Sequence, residues 1–252
     1  VNASLFLNKP ILIEGPAGTG KTYLAKTLSK IFETQLIRLQ CHEGIDEDKA
    51  LYEWNYKKQL ISIQTEKDSK NLFTEEFLIE RPILQALRTE NKSIFLVDEI
   101  DRSDEEFEAL LLEVLAENQV SIPELGTINS KNENLTVLTS NATRELSEAL
   151  RRRCLYFYLD YPSVDIETKV ILSNVENIDE EKARKFSIFS NFVRSLGLNK
   201  PPSLIESVEW VKFNHVKNED SLDSNIGILI KDIEDQKVYL EKIKEDNANK
   251  NQ

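Results

Sequence analysis

Cysteine, histidine and glycine are scarce in this sequence, methionine is absent, and no long apolar run occurs. The two cysteines, Cys41 and Cys154, are too few for a disulfide framework, so we expect reduced, buried thiols in a cytoplasmic protein. Cys41 and His42 have no second Cys/His cluster with which to complete a metal site, and we interpret His42 and His215 as structural. No stretch approaches the roughly 18–20 apolar residues that a membrane-spanning helix requires.

Basic residues are fewer than acidic residues. Lysine and arginine total 32 against 44 aspartates and glutamates, which leaves a net charge of −12. Because phosphate neutralisation needs a basic surface, this balance argues against duplex nucleic acid as the main partner, although a local basic groove remains an alternative. A hydrophobic fraction of 40% and a charged fraction of 30% predict a soluble chain with a substantial core.

The beginning of the chain carries no secretion signal, since a basic start, an apolar stretch and a cleavage site are all missing. The sequence starts at Val1, and its first expected strand begins only ten residues later, at Ile11. Together with the absence of methionine, this leads us to expect that the native N-terminus lies upstream.

Short apolar runs alternate with helical patterns as far as Tyr161, which is typical of an α/β fold with a parallel sheet. The expected strands are Ile11–Ile13, Gln35–Leu39, Ile94–Val97, Leu135–Thr139 and Leu155–Leu159. The expected helices cover residues 21–32, 76–90, 104–117 and 147–153. Pro82 fits a first helical turn, and Ser103 with Glu106 matches a capping box. Segments 119–122 and 127–129 flank a Pro-Glu-Leu-Gly turn and are expected to pair as a hairpin.

The pattern changes after Tyr161, where only helical periodicity follows, as in 204–214 and 226–243. We therefore expect an α/β domain at 1–161, an all-helical domain at 162–243 and a frayed polar tail at 244–252. The mixed segment 43–70 contains Tyr52, Trp54 and Tyr56, which we interpret as packing or as a partner surface.

A glycine-rich loop follows the first expected strand. Gly15-Pro16-Ala17-Gly18-Thr19-Gly20-Lys21-Thr22 matches the pattern GxxxxGK[ST] in full and contains three of the 7 glycines of the chain. Glycine lets backbone N–H groups turn toward phosphate, and the helix after the loop directs its positive end there. Lys21 would reach the β- and γ-phosphate oxygens, and the Thr22 hydroxyl would bind Mg²⁺. The sequence therefore predicts a site for ATP and Mg²⁺.

Two carboxylates, Asp98 and Glu99, close the apolar run Ile94–Val97. At the carboxyl end of a strand beside the P-loop, Asp98 can hold Mg²⁺ through water, and Glu99 can orient and deprotonate the attacking water. The alternative is a pair of acidic residues that end a strand and begin a solvated turn. The P-loop in the same sheet favours the catalytic interpretation.

Two further polar groups follow the later strands. Asn141, just past Leu135–Thr139, can hold the attacking water with Glu99, or it can simply form a turn. Arg151, Arg152 and Arg153 point in different directions on a helix, so at least one should face outward. In an oligomer that arginine can reach a neighbour's nucleotide. The alternative is a solvated cluster on an acidic protein.

These features occur in the order found in AAA+ ATPases, which the chain resembles. The segments that look like the MoxR branch are LFLNKPILIEGPAGTGKTYLAKTLSK, FLVDEIDRSDEEFEALLLEVLAENQVSIPELGTI and LTSNATRELSEALRRRCLYFYLDYP. Within that branch, LIRLQCHEGID, ALYEWNY and FLIERPILQAL resemble the CoxD-type ATPases linked to maturation of aerobic carbon monoxide dehydrogenase. The likeness runs from about Leu5 to Lys242.

The resemblance implies a doubly wound parallel sheet of order 5-1-4-3-2, followed by a small helical lid. It also implies that Asn141 is the first sensor and Arg153 the arginine finger, with Arg152 as the nearest substitute. The 119–128 hairpin would lie beside the central pore of a ring, a homohexamer. Such ATPases act as chaperones, often with a von Willebrand factor A-domain partner, on a client metalloenzyme. For the CoxD type, that client is a molybdenum–copper enzyme.

One departure concerns the lid, where many AAA+ proteins carry an arginine that touches the γ-phosphate. Here the stretch reads Lys200-Pro-Pro-Ser-Leu-Ile-Glu206, without arginine. Either Lys200 is a partial substitute, or nucleotide sensing by the lid is reduced. The leading hypothesis is an ATP-hydrolysing remodelling chaperone. The alternatives are a nucleotide-switched scaffold with little turnover and the motor subunit of a nucleic-acid machine.

Overall fold

A computed structural model describes residues 1–65, 71–217, 221, 222 and 224–250, except for the side chains of 47, 65 and 245–250. Residues 66–70 of the mixed segment and 251–252 of the expected tail lie outside this range. In the described residues the strands are β1 (Ile11–Glu14), β2 (Leu36–Gln40), β3 (Tyr52–Trp54), β4 (Leu78–Glu80), β5 (Ile94–Asp98), β6 (Gln119–Ile122), β7 (Gly126–Asn129), β8 (Leu135–Ser140) and β9 (Leu155–Tyr158).

The helices of the described part are α1 (Asn2–Leu7), α2 (Lys21–Ile31), α3 (Glu47–Ala50), α4 (Tyr56–Thr65), α5 (Pro82–Arg88), α6 (Glu105–Glu117), α7 (Glu148–Arg153), α8 (Val164–Asn174), α9 (Glu180–Arg194), α10 (Leu204–Val216), α11 (Ile226–Leu229) and α12 (Ile233–Lys250). Short 3₁₀ turns lie at Glu75–Phe77 and Ile100–Arg102.

Five strands form one parallel sheet in the order β2-β5-β8-β1-β9. Numbered among themselves, these strands read 5-1-4-3-2 from β9 to β2, so the expected α/β sheet is confirmed. Every residue of β5 and β8 is buried, because helices cover both faces of a parallel sheet. The parallel register places Glu14 opposite Ser140 and Gln40 opposite Asp98, so the carboxyl ends of the strands meet along one edge.

Two segments differ from the sequence-based expectation near the amino ends of helices. The helix expected over 76–90 begins only at Pro82, since 78–80 pairs antiparallel with β3 as β4. The N-cap of α6 is Asp104, whose carboxylate accepts from the Phe107 N–H at 2.9 Å, so the predicted cap Ser103 was wrong. Ser103 instead donates to the Ile100 carbonyl at 2.7 Å. The adjacent Ser and Asp are both good caps, and only the preceding 3₁₀ turn decides between them.

The chain divides into two compact units, one formed by residues 1–15 and 21–159, the other by 16–20 and the residues from Asp160 onward. The core of the second unit packs Trp210 between Phe186 and Phe189, and Tyr239 lies against Phe189. In the part of this unit that the structure describes, regular structure is helical throughout.

The end of the chain departs from expectation in two ways. The helix expected over 226–243 is two helices, α11 and α12, because the chain turns between them, where the Gln236 amide donates to the Ile230 carbonyl at 2.7 Å. The backbone of α12 remains helical to Lys250, beyond the start of the expected frayed tail. None of the described helices is long and apolar enough to cross a bilayer.

Both cysteines are buried and free, as the sequence predicted. Burial raises the pKa of the Cys41 and Cys154 thiols to about 12. Nearby Asp98 and Asp101 add to this rise at Cys41. Both side chains are therefore thiols at neutral pH and serve as small apolar groups of the core.

The cap of α6 can be tested by Asp104→Ala. The variant leaves the Phe107 N–H without its side-chain acceptor, so we expect the free energy of unfolding to fall by about 1 kcal/mol in a urea titration. Glu113→Ala, on the exposed middle of the same helix, is the matched control and should change stability by less than about 0.5 kcal/mol. Equal effects of the two substitutions would contradict the assignment.

Candidate active site

The candidate site lies at the carboxyl edge of the parallel sheet. There the chain leaves β1 at Gly15 and enters α2 at Lys21, while β5 ends at Asp98 and β8 at Ser140. In open parallel sheets, ligands bind outside this edge, where loops and helix N-termini converge. The polar residues that the sequence singled out at strand ends are thus gathered on one edge.

Two glycines of the loop are required by close approach of other backbone or side-chain atoms. A Cβ at Gly15 would lie 2.0 Å from the Leu159 carbonyl oxygen, so no larger residue fits between β1 and the end of β9. Gly18 has φ +74°, and a Cβ there would lie 2.3 Å from the Cβ of Ser203, within the second compact unit. Gly15 and Gly18 therefore serve packing as well as loop conformation.

Lys21 is 6% exposed, and its ammonium donates to the Gly15 carbonyl at 2.7 Å. Burial lowers the pKa of Lys21 below its ordinary value, and the carboxylates of Asp101, Asp98 and Glu99 oppose this shift. Lys21 is therefore a buried cation that contacts a carbonyl of the loop and lies in the field of nearby carboxylates.

Asp98 is the centre of the hydrogen-bond network. Its Oδ1 accepts from the Thr22 hydroxyl at 2.8 Å and from the Thr139 hydroxyl at 2.6 Å. Its Oδ2 accepts from Arg38, at 3.1 Å from Nε and 2.6 Å from Nη2. The Asp98 side chain is only 3% exposed. Thr22 and Asp98, both predicted to hold magnesium, are therefore in direct contact.

The oxygen groups present fit a magnesium ion. Mg²⁺ prefers hard oxygen ligands and keeps several waters, so one hydroxyl, one carboxylate and the phosphates of a nucleotide suffice. Within the described ranges there is no group of three or more His, Cys, Asp or Glu side chains that forms an all-protein cage. Thr22 and Asp98 would thus hold the ion together with a bound nucleotide.

Glu99 has a left-handed backbone conformation, with φ +57° and ψ +49°. Such a conformation costs a non-glycine residue on the order of 1–3 kcal/mol and is concentrated at functional sites. It is supported by the Thr139 hydroxyl, which accepts from the Glu99 N–H at 2.9 Å. The Glu99 carboxylate accepts from Gln40 at 3.1 Å and pairs with Arg102 at 3.0 Å.

Asn141 follows β8 directly and is half-buried. Its loop is held by the buried Asp101, which accepts from the Thr143 N–H at 3.0 Å and from the Thr143 hydroxyl at 2.6 Å. Burial alone would raise the pKa of Asp101. The hydrogen bonds from Thr143 and from the Asn141 backbone instead lower it below the ordinary value. Asp101 therefore stays ionised and fixes the backbone that carries Asn141.

The arginines of α7 are all exposed. Arg152 forms an ion pair with Glu148 one turn earlier, and Arg153 reaches the Ala149 carbonyl at 3.5 Å. Arg151 lies over the ring of Tyr156 at 5.3 Å. These contacts are local to α7 and β9.

Lys200, the candidate substitute for the missing lid arginine, is also occupied locally. Its ammonium binds Asp232 at 2.9 Å, and this hydrogen bond raises the pKa of Lys200. The side chain is 76% exposed. The position is therefore held by an ion pair within the second unit.

Several residues of the site were missed by sequence reasoning. They share a place near the carboxyl end of a strand: Arg38, Gln40, Asp101 and Thr139. Thr139 carried a usable signal, because it is a polar residue in an otherwise apolar central strand. Arg38 carried none, since alternation on an edge strand commonly places a charged residue in solvent.

This chain is similar to known proteins in sequence and in fold. Residues 10–154, more than half of the chain, match the family model of the AAA domain (dynein-related subfamily). An uncharacterized protein of Staphylococcus aureus strain NCTC 8325 is 26% identical over 196 residues, which cover 75% of this chain and 70% of that protein. A second one, from strain USA300, is 28% identical over 171 residues, which cover 66% and 60%.

Among solved structures, a mutant of RuvB from Thermotoga maritima matches with a TM-score of 0.51 at 18% sequence identity. The match covers 91% of this chain and 64% of that one, so this chain spans under two thirds of the length of the solved protein. The likeness shows a shared fold.

The Thr139 hydroxyl, which accepts from the Glu99 N–H and donates to Asp98, can be removed by Thr139→Val. Because the buried Asp98 and the half-buried Glu99 each lose a hydrogen bond, we expect the free energy of unfolding to fall by about 1–3 kcal/mol. Thr136→Val makes the same change near the other end of β8 and should have a smaller effect. Urea titrations of both variants measure the difference, and equal losses would argue against the bridge.

Proposed function

This chain belongs to the AAA domain family (dynein-related subfamily), and we propose that it is an ATPase of the MoxR type that remodels a client protein. The observation that carries the proposal is the contact between Thr22 and Asp98 beside the buried Lys21. These three side chains are the ones that ATP and magnesium require at a P-loop.

The proposed chemistry follows from the position of each group. Magnesium, when bound, would neutralise charge on the phosphates. Lys21 would exchange its bond to the Gly15 carbonyl for a phosphate oxygen. Glu99 would take a proton from the attacking water after leaving Gln40 and Arg102, and the Asn141 amide would orient that water.

The arginine finger is proposed to act between subunits. Arg153 is exposed, and its contact with the Ala149 carbonyl is long, so little holds it in place. Because a charged finger stabilises the transferring phosphoryl group, a ring in which Arg153 reaches the neighbouring site would couple hydrolysis to assembly. We propose a homohexamer, with Arg152 as the substitute finger.

The remodelling role rests on the sequence resemblance and on one exposed element. The hairpin β6–β7 follows α6 directly, and Ser121, Thr127 and the turn at 123–126 are largely exposed. In a ring, this hairpin would be available to grip a client. We propose a metalloenzyme as that client, of the molybdenum–copper type, and a von Willebrand factor A-domain protein as co-partner in the cytoplasm.

The nucleotide site is tested by two single variants. Lys21→Ala should lose binding of a fluorescent ATP analogue, because the cation that faces the phosphates is gone. Glu99→Gln should bind the analogue normally and hydrolyse ATP roughly 100- to 10,000-fold more slowly, since an amide cannot take the proton. Glu106→Gln, an exposed change on α6, is the control for Glu99→Gln and should retain turnover.

Each result has a distinct meaning. Normal hydrolysis by Glu99→Gln would refute its role as the base. Binding without measurable steady-state hydrolysis by the unmodified protein would favour the nucleotide-switched scaffold instead.

The shared site is tested by mixing two inactive variants. Arg153→Ala and Glu99→Gln should each be defective alone, by roughly 1,000-fold or more for the finger. In mixed rings, an intact Arg153 from one subunit can meet an intact Glu99 of the next, so a fraction of the turnover should return. Mixing Arg153→Ala with Lys21→Ala should restore turnover in the same way. If mixing restores nothing while the rings assemble, Arg153 does not act on a neighbour.

A further inference from the structure

The carboxylate proposed to hold magnesium already has a cation against it. Arg38 approaches Asp98 Oδ2 with two nitrogens, Nε at 3.1 Å and Nη2 at 2.6 Å. Nη2 also donates to the side-chain oxygen of Gln40. A charge-assisted pair of this kind is stronger than a hydrogen bond between neutral groups.

The two partners differ in their freedom to move. The Asp98 side chain is 3% exposed and is fixed by the hydroxyls of Thr22 and Thr139 on its other oxygen. The Arg38 side chain is 45% exposed and lies on β2, an edge strand of the sheet. The guanidinium can therefore swing into solvent without opening the core, whereas the carboxylate stays in place.

Acidic side chains are concentrated around Asp98. Glu99 follows Asp98 in the chain, and the field of these two carboxylates and Asp101 is strong enough to reach Lys21. Thr22 and Thr139 donate hydrogen bonds but bring no net charge. Arg38 forms an ion pair with this carboxylate, and it compensates negative charge that magnesium would otherwise compensate.

We propose that Arg38 is a built-in stand-in for magnesium that must leave Asp98 when the metal–nucleotide complex binds. This inference rests on the proposed function, because it concerns the same site. The Arg38 guanidinium and a magnesium ion would repel each other and would compete for one carboxylate. Arg38 therefore supports nucleotide binding without metal and weakens the gain that magnesium brings.

The experiment measures nucleotide affinity, not turnover. Binding of the N-methylanthraniloyl derivative of ADP is followed by fluorescence in EDTA and in excess MgCl₂. The ratio of the Kd in EDTA to the Kd in magnesium is then compared between the variants and the unmodified protein. Chelation of the metal by free nucleotide is the same for every variant, so it cancels in the comparison. Binding of Mn²⁺, followed by the electron paramagnetic resonance signal of the free ion, gives a second measurement with the metal itself.

Removal of the guanidinium has a defined expected result. Arg38→Met should weaken binding in EDTA, because Asp98 is left uncompensated near the phosphates, and should preserve or tighten binding in magnesium. The ratio of the Kd in EDTA to the Kd in magnesium should rise about two- to fivefold, the range for a half-exposed ion pair. Arg38→Lys keeps the positive charge but not the bidentate guanidinium. Its Kd ratio should lie between those of the unmodified protein and Arg38→Met. Arg184→Met, an exposed ion-pair arginine of α9, should leave the ratio unchanged.

The outcomes separate the inference from the proposed function. An unchanged ratio in Arg38→Met, with normal nucleotide binding by the unmodified protein, overturns the stand-in role alone. A loss of affinity that is equal with and without magnesium also overturns it, because Arg38 would then bind the nucleotide itself. If the unmodified protein binds no better than Lys21→Ala under either condition, the nucleotide site and the inference both fail.

Discussion

One buried carboxylate organises the carboxyl edge of the sheet. Asp98 joins α2 through Thr22, β8 through Thr139 and β2 through Arg38. A buried ion is tolerated only when it is paired and hydrogen-bonded, so these elements must keep their positions for the charge to be stable. The strand order serves this requirement, because β5 lies between β2 and β8 and receives donors from both sides.

The phosphate loop is also held at the carboxyl edge of the sheet. Gly15 brings the β1 backbone within reach of Lys21 and leaves no room for a side chain against Leu159. Lys21 then faces the carboxylates at the end of β5 instead of solvent. The left-handed backbone at Glu99 is maintained because the bridging Thr139 hydroxyl accepts its N–H. The ends of the loop, Asp98 and Glu99 are therefore held by contacts among the chain's own residues.

The sequence predicted the features that depend on local pattern or on family likeness. The apolar runs located the five parallel strands, and the position of Asp98 and Glu99 after such a run placed them at the sheet edge. Features that depend on spatial neighbours were missed. Arg38 meets Asp98 only through the parallel register of β2 and β5, and β4 forms only because β3 offers it an edge. Ser103 and Asp104 were indistinguishable as caps without the preceding turn.

The two carboxylates of the site are linked by one edge strand. Arg38 and Gln40 are two residues apart and therefore share the exposed face of β2. Arg38 contacts Asp98, and Gln40 contacts Glu99. Because Arg38 also donates to Gln40, a movement of the guanidinium away from Asp98 removes a partner that orients the amide. Asp98 and Glu99 are thus coupled through side chains two residues apart, so a change at one carboxylate alters the hydrogen bonding of the other without a change of fold.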